Sequence, residues 1–186
     1  MRRIVAVSLV LMCALVTLLV SPSAARLGAQ DATPAAAPNV VAGQLAPLGQ
    51  QFESSPGIDV EFVNEGPTAQ APGQSLVIYR VTLRGGEVPS HIHPGTTVLT
   101  VESGAMSWTL QAGTVTVTRP GAAAETVTAP GTEIVVNAGE GLAYNADVVH
   151  SARAAGAEPA VVLIAALFEV GQPVITLTDE QGTPTT

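Results

Sequence analysis

The chain has 186 residues, a formal net charge of −8 and no lysine, and 47% of its residues are hydrophobic. This is enough chain for one domain with its own core, plus terminal extensions. The acidic balance argues against nucleic acid or an anionic membrane surface as a partner, because both attract basic proteins.

The N-terminus has the pattern of an export signal. Two arginines precede an apolar run over residues 4–20, and small residues follow it. We therefore predict a signal peptide over residues 1–29, cleaved after Ala25 or Ala29, and a secreted or extracytoplasmic protein with no membrane partner after cleavage. The alternative is an uncleaved N-terminal anchor, because a run of 17 residues is at the lower limit for a membrane-spanning helix.

Composition divides the rest of the chain into three parts. Residues 30–40 are rich in Ala, Pro and Thr and poor in large apolar side chains, so we predict a disordered linker. Residues 41–178 are predicted to form one domain. The polar residues 179–186 are predicted to be a disordered tail.

Short β-type runs separated by Gly and Pro fill the predicted domain, a spacing typical of an all-β sandwich or barrel. The predicted strands are 58–63, 75–83, 97–102, 105–110, 114–118, 125–128, 132–136, 141–145, 148–152 and 159–169. No segment after residue 21 has a convincing helical period, although residues 41–53 could form a short helix.

Alternation in one of these strands identifies its inner face. Met106, Trp108 and Leu110 alternate with small or polar residues, so one face is buried and the other faces water. Trp108 is then either a core residue or part of a cavity wall. The same two alternatives stay open for Tyr79 and Tyr144.

All three histidines of the chain fall in a pattern that suits a metal site. His91 and His93 are two residues apart, so on one strand their imidazoles share a face. His150 lies at the end of a later apolar run. The other interpretation is that the histidines are ordinary buried residues without a metal.

One segment resembles the first motif of the cupin superfamily, Gly-x5-His-x-His-x3-Glu-x6-Gly. The matching residues are Gly85, His91, His93 and Gly104, and Thr97 stands where the motif has its carboxylate.

A second segment is similar to the second cupin motif, Gly-x5-Pro-x-Gly-x2-His-x3-Asn. Gly139 and His150 match it. Three positions depart from it: Asn145, Asp147 and Ala154. A competing alignment begins at Gly131, but it places Leu142 at the histidine position and leaves His150 unexplained.

The resemblance implies a double-stranded β-helix, the cupin jelly-roll barrel, with a metal held in its mouth. The implied ligands here are His91, His93 and His150. Thr97 cannot supply a charged ligand, and Glu102 lies on the opposite strand face by parity. The remaining neutral set resembles that of certain cupin-fold dioxygenases that use iron to oxidise thiols or diketones. The resemblance also makes a homodimer an expectation.

Two functional classes follow from these observations. The first is an exported metalloenzyme in which a divalent transition metal (Fe, Mn, Ni, Cu or Zn) acts on a small-molecule substrate. The second is a non-catalytic module that binds a small ligand or serves a structural role without a functional metal. The candidate cavity wall is mainly apolar and offers few acids or bases, which favours the second class. Its residues are Tyr79, Thr97, Leu99, Met106, Trp108 and Ala152.

Overall fold

A computed structural model describes residues 56–185 of the chain. The predicted signal peptide, the predicted linker and the candidate helix at 41–53 lie outside the described residues. Within residues 56–185, every regular secondary-structure element is a β-strand. None of these described residues belongs to a helix long and apolar enough to span a membrane.

The described residues form twelve strands. They are β1 (Ile58–Pro67), β2 (Gln74–Leu83), β3 (Glu87–Ile92), β4 (Gly95–Ser103), β5 (Ala105–Ala112), β6 (Val115–Thr118), β7 (Glu125–Val127), β8 (Thr132–Asn137), β9 (Gly141–Tyr144), β10 (Val149–Ala154), β11 (Ala160–Glu169) and β12 (Thr176–Leu177). Every predicted strand is present with shifted ends. β12 was not among the predicted strands, and β3 was expected only as the short strand of His91 and His93.

The strands pair into two antiparallel sheets with jelly-roll connectivity. The larger sheet has the order β1-β2-β11-β4-β9-β6-β7, and the smaller sheet has the order β12-β3-β10-β5-β8. Without the edge strands β1, β6, β7 and β12, four strands remain in each sheet. They are β2, β11, β4 and β9 in the larger sheet, and β3, β10, β5 and β8 in the smaller one. The chain crosses between the sheets as a double Greek key does. The predicted fold class, an all-β jelly-roll barrel, is confirmed.

The core lies between the two sheets, where the inner faces of their strands meet. Along β2, for example, Val77, Tyr79 and Leu83 are buried and alternate with more exposed residues. On the outer face, Arg80 forms ion pairs with Glu61 and Glu102 at 2.7 and 2.6 Å. Exposed pairs of this kind contribute about 0–1 kcal/mol each, so burial of apolar side chains is the main source of stability.

The C-terminal residues 179–185 differ from the predicted disordered tail, because they form a closed turn after β12. The Asp179 carboxylate accepts the backbone N–H groups of Gln181 and Thr183 at 3.0 and 2.8 Å. The Asp179 N–H in turn donates to the Thr183 carbonyl at 2.9 Å. An Asp that captures nearby backbone groups in this way stabilises a turn that composition alone does not reveal.

Gly95 begins β4 where the backbone of β11 passes close to it. A Cβ on residue 95 would overlap the carbonyl oxygen of Leu167, which lies in the strand paired with β4. We expect Gly95→Ala to lower the free energy of unfolding by about 1–3 kcal/mol through overpacking, as measured by urea denaturation. Gly156→Ala is the control, because residue 156 has open space around it. Equal stability of the two variants would contradict the close approach of the strands.

Candidate metal centre

Neighbouring strands of the smaller sheet bring the histidines together. His91 on β3 lies directly opposite His150 on β10 in the strand register. His93 follows the end of β3, and its ring centroid is 4.9 Å from that of His91 and 5.3 Å from that of His150. One ring nitrogen from each histidine lies within 4.8 Å of the others. The structure therefore places all three histidines in one buried cluster.

A bulge in β10 turns His150 inward. The pairing of β10 with β5 shifts register between Val149 and His150, and its pairing with β3 shifts between His150 and Ala152. Val149 and His150 are both buried although they are adjacent, which regular alternation would not allow. Bulges are common beside functional sites because they re-aim a side chain.

Each imidazole is oriented by a hydrogen bond from Nδ1 to a backbone carbonyl. His91 donates to Pro89 at 2.7 Å, and His150 donates to Val148 at 3.1 Å. In both cases the acceptor is two residues earlier in the chain. His93 donates to the carbonyl of Val174 at 2.6 Å, across the fold. Since a carbonyl only accepts, Nδ1 carries the proton in all three rings and Nε2 keeps a free lone pair.

Burial keeps the three imidazoles uncharged. It lowers the pKa of His91 from 6.5 to about 3, with a smaller contribution from the neighbouring His93. It also lowers the pKa of His93 to about 4. Burial, followed by His91 and His93, lowers the pKa of His150 well below its usual value. All three are therefore neutral near pH 7, which is the form that binds a metal.

The donor set fits a divalent transition metal. Neutral imidazole nitrogens suit Zn, Cu, Fe or Ni, and hydrogen bonds from the opposite ring nitrogen are the usual means by which proteins orient metal-binding histidines. Within the described residues no carboxylate joins the cluster. The nearest candidates in sequence, Glu87 and Glu102, are both exposed, and Glu102 pairs with Arg80.

A cavity lies beside the histidines, between the two sheets. It measures about 50 Å³, counted as the space open to the centres of water molecules. The candidate lining residues that lie in its wall are Tyr79, Leu99, Met106, Trp108 and Ala152. Among the described residues, none of the wall side chains belongs to Asp, Glu, Lys or Arg.

The structure does not place Thr97 in the cavity wall, which corrects the expectation that it lines the pocket. Thr97 is fully buried and lies opposite Tyr144 in the register of β4 and β9. Tyr144 does line the cavity.

Tyr144 and Trp108 contact the cluster directly. The Tyr144 hydroxyl is 3.4 Å from Nε2 of His150, and because Nδ1 holds the imidazole proton, the hydroxyl is the donor. The indole of Trp108 stacks on His150, with ring centroids 4.7 Å apart and an angle of 23° between the planes. Trp108 is thus both a core residue and part of the wall, and Tyr144 has a hydroxyl beside the candidate ligand atom.

The connection between β11 and β12 completes the site, which sequence reasoning did not foresee. Val174 is fully buried and supplies the carbonyl that holds His93. The next residue, Ile175, lies in the cavity wall. Two adjacent apolar residues near the C-terminus are the only sequence signal for this role, and they do not distinguish it from ordinary core packing.

Comparisons with known proteins give structural likeness at low identity. No protein-family model and no curated protein matches the chain. An oxalate oxidase structure is 21% identical with a TM-score of 0.43, over 66% of this chain and 55% of that one. A cupin 2 conserved barrel domain protein from Leptotrichia buccalis is 18% identical with a TM-score of 0.41, over 59% of this chain and 40% of that one.

A salicylate 1,2-dioxygenase from Pseudaminobacter salicylatoxidans is 17% identical with a TM-score of 0.39, over 60% of this chain and 26% of that one. The chain thus spans less than two thirds of the length of each of these three proteins. Its function is therefore inferred from its own residues.

Proposed function

We propose that this protein, whose described residues form a cupin-type jelly roll, binds one divalent transition metal through His91, His93 and His150. The observation that carries this proposal is that the three histidines share one tautomer and lie in one buried cluster. Each Nδ1 is held by a backbone carbonyl, so each Nε2 keeps an uncharged lone pair in the cluster, and that of His150 accepts only the long 3.4 Å bond from Tyr144.

The activity that best suits this site is a metal-dependent reaction of a small molecule in the adjacent cavity. When bound, a metal ion can polarise or orient a small molecule, or dioxygen, at its open positions. The chain's own residues hold the ligand nitrogens in place, exclude bulk water with an apolar wall, and present the Tyr144 hydroxyl beside His150. More specifically, we propose that this reaction is of the dioxygenase type.

The second candidate is a binding module without turnover. The observation in its favour is the cavity wall, which within the described residues contains no carboxylate, lysine or arginine. The neutral histidines are also poor acids or bases if they hold a metal. Oxygen-uptake assays of the metal-loaded protein with small phenols, diketones and thiols separate the candidates, since a binding module takes up metal and ligand but consumes no oxygen.

Action outside the cytoplasm is part of the proposal. Its support is the N-terminal order of two arginines, an apolar run and small residues, which lies outside the described part of the chain. Mass spectrometry of protein recovered from an export-competent host tests it, because a mature N-terminus after Ala25 or Ala29 is expected.

Metal content is the direct test of the proposed function. The full chain, purified without a histidine tag and reconstituted with Fe, Mn, Ni, Cu or Zn, is expected to retain close to one equivalent of at least one metal. The double variant His91→Ala/His93→Ala is expected to retain almost none. Saturating metal should also raise the free energy of unfolding of the wild type, by about 2.7 kcal/mol at a free concentration of 100 times Kd.

The matched control is Arg153→Ala, which changes a residue of β10 whose side chain lies on the outer face in an ion pair with Glu133. It should take up as much metal as the wild type. Equal uptake by the wild type and the double histidine variant, or none by the wild type with any of the five metals, would overturn the proposal.

A further inference from the structure

The cavity beside the histidines offers no partner for a charged group. Its polar side chains within the described residues are the three imidazoles, two phenols and one indole. The charged residue on the strand of Tyr79, Arg80, is on the outer face of the larger sheet and is already paired with Glu61 and Glu102. A second charged group on a ligand would be buried without a counter-charge, which is strongly disfavoured.

The size of the cavity limits the ligand further. One water molecule needs roughly 10–15 Å³ of the space open to water centres. The cavity of about 50 Å³ therefore has room for about four waters, or for a ligand of about six non-hydrogen atoms. Larger substrates would require the wall to move.

The hydroxyl of Tyr144 supplies the polar contact that such a ligand can use. In the metal-free site this hydroxyl donates to Nε2 of His150 over a long 3.4 Å. Nε2 is also the atom left free for a metal, so metal binding takes the acceptor away from the hydroxyl. A buried hydroxyl without an acceptor is unfavourable. Two acceptors could replace the lost one: Oγ1 of Thr97, which pairs with Tyr144 in the strand register and has no other partner among the described residues, or a ligand atom next to the metal.

Building on the proposed function, we propose that the site takes a small, mostly apolar ligand whose single charged or ligating group lies at the metal and accepts a hydrogen bond from Tyr144. The apolar remainder lies against the aliphatic and aromatic wall, including Leu99 and Met106. The same cavity rejects dicarboxylates and zwitterions whose second charged group is too far from the first to reach the metal, because that charge has no partner there. Tyr144 is then a positioning residue for the ligand.

Three probes test the charge rule: butyrate and β-alanine have equal size, and succinate, which is larger, is compared also with 4-methylvalerate, a singly charged acid of the same size as succinate. Butyrate carries one carboxylate and an apolar end, β-alanine replaces the terminal methyl with an ammonium group, and succinate replaces it with a second carboxylate. Each is titrated into the full chain loaded with cobalt(II), and binding is followed by the visible spectrum of the metal and by calorimetry. We expect butyrate to bind at least about 100-fold more tightly than either charged analogue.

The variant Tyr144→Phe tests separately whether the Tyr144 hydroxyl contributes to ligand binding. This variant should keep its cobalt but bind butyrate about tenfold more weakly, the effect of one hydrogen bond. The control is Thr109→Val, which also removes a single hydroxyl, from a residue of β5 that pairs with Ser151 and is not part of the cavity wall. It should leave the butyrate affinity unchanged.

The outcomes distinguish this inference from the proposed function. If the wild type takes up no cobalt or other metal, the proposed function fails before any ligand is added. If it takes up cobalt but binds the charged analogues within tenfold of butyrate, or binds none of the three, the charge rule is wrong and the metal site stands. If Tyr144→Phe binds butyrate as the wild type does, the role of Tyr144 is wrong.

Discussion

Lowering the pH from 7 to 5 is expected to destabilise the metal-free protein steeply. The pKa values of His91 and His93 are about 3 and about 4 in the folded state, against 6.5 in the unfolded chain. Between these values the unfolded state binds more protons, so the free energy of unfolding falls as the pH falls. The histidines therefore contribute stability that is present above pH 6.5 and is lost toward pH 4.

The expected change in the free energy of unfolding with pH is large enough to measure. Each buried histidine can contribute a slope of up to about 1.4 kcal/mol per pH unit in this window. Urea denaturation in the presence of a chelator at pH 7, 6 and 5 gives the slope. The hydrogen bond to Arg80 lowers the pKa of Glu102, so this carboxylate stays ionised between pH 7 and 5.

The variant His91→Gln tests the origin of the slope. Glutamine does not titrate, so the variant should show a shallower dependence of stability on pH, by about one proton, whatever its stability at pH 7. Identical slopes for the wild type and the variant would show that His91 is not buried in its neutral form.

Truncation of Trp108 is expected to produce the largest loss of stability among single core substitutions. Trp108 is 1% exposed, stacks on His150, and lies 5.5 Å from the ring of Tyr144. Trp108→Ala should lower the free energy of unfolding by about 3–5 kcal/mol, because the removed ring leaves a cavity that the sheets cannot close. Urea denaturation of metal-free protein at pH 7 measures it.

Two comparisons complete this test. Trp108→Phe keeps an aromatic ring against His150 and should cost less than the alanine variant. Val135→Ala truncates a half-exposed side chain of β8 and should change stability by no more than about 0.5 kcal/mol. A loss below about 1 kcal/mol for Trp108→Ala would contradict the packing described here.

Much of the fold follows from alternation of apolar and polar residues along the strands. Met106, Trp108 and Leu110 are buried as predicted, and Glu102 lies on the outer face, as its parity with Thr97 requires. These predictions succeed because the side-chain period of a strand is two residues. A strand was expected only around His91 and His93, because Glu87 and Pro89 are poor strand residues, and pairing with β10 and β12 extends it over all of β3.

The three histidines of the candidate site could be predicted from the sequence, but the bulge and the cavity wall around them could not. The spacing of His91 and His93 determines a shared face, but the bulge that turns His150 inward depends on the pairing of β10 with two different neighbours. The wall position of Tyr144 likewise depends on which strands lie opposite each other. The bulge and the position of Tyr144 both depend on packing between segments far apart in the chain, so they cannot be predicted from the local sequence.

The bond between His93 and Val174 has a consequence for how the protein matures. The two residues are 81 positions apart, and Val174 precedes the last strand, which pairs with β3. A growing polypeptide cannot orient His93 until residue 174 has been added by the ribosome. The three-histidine cluster is therefore among the last parts of the molecule to be completed during biosynthesis.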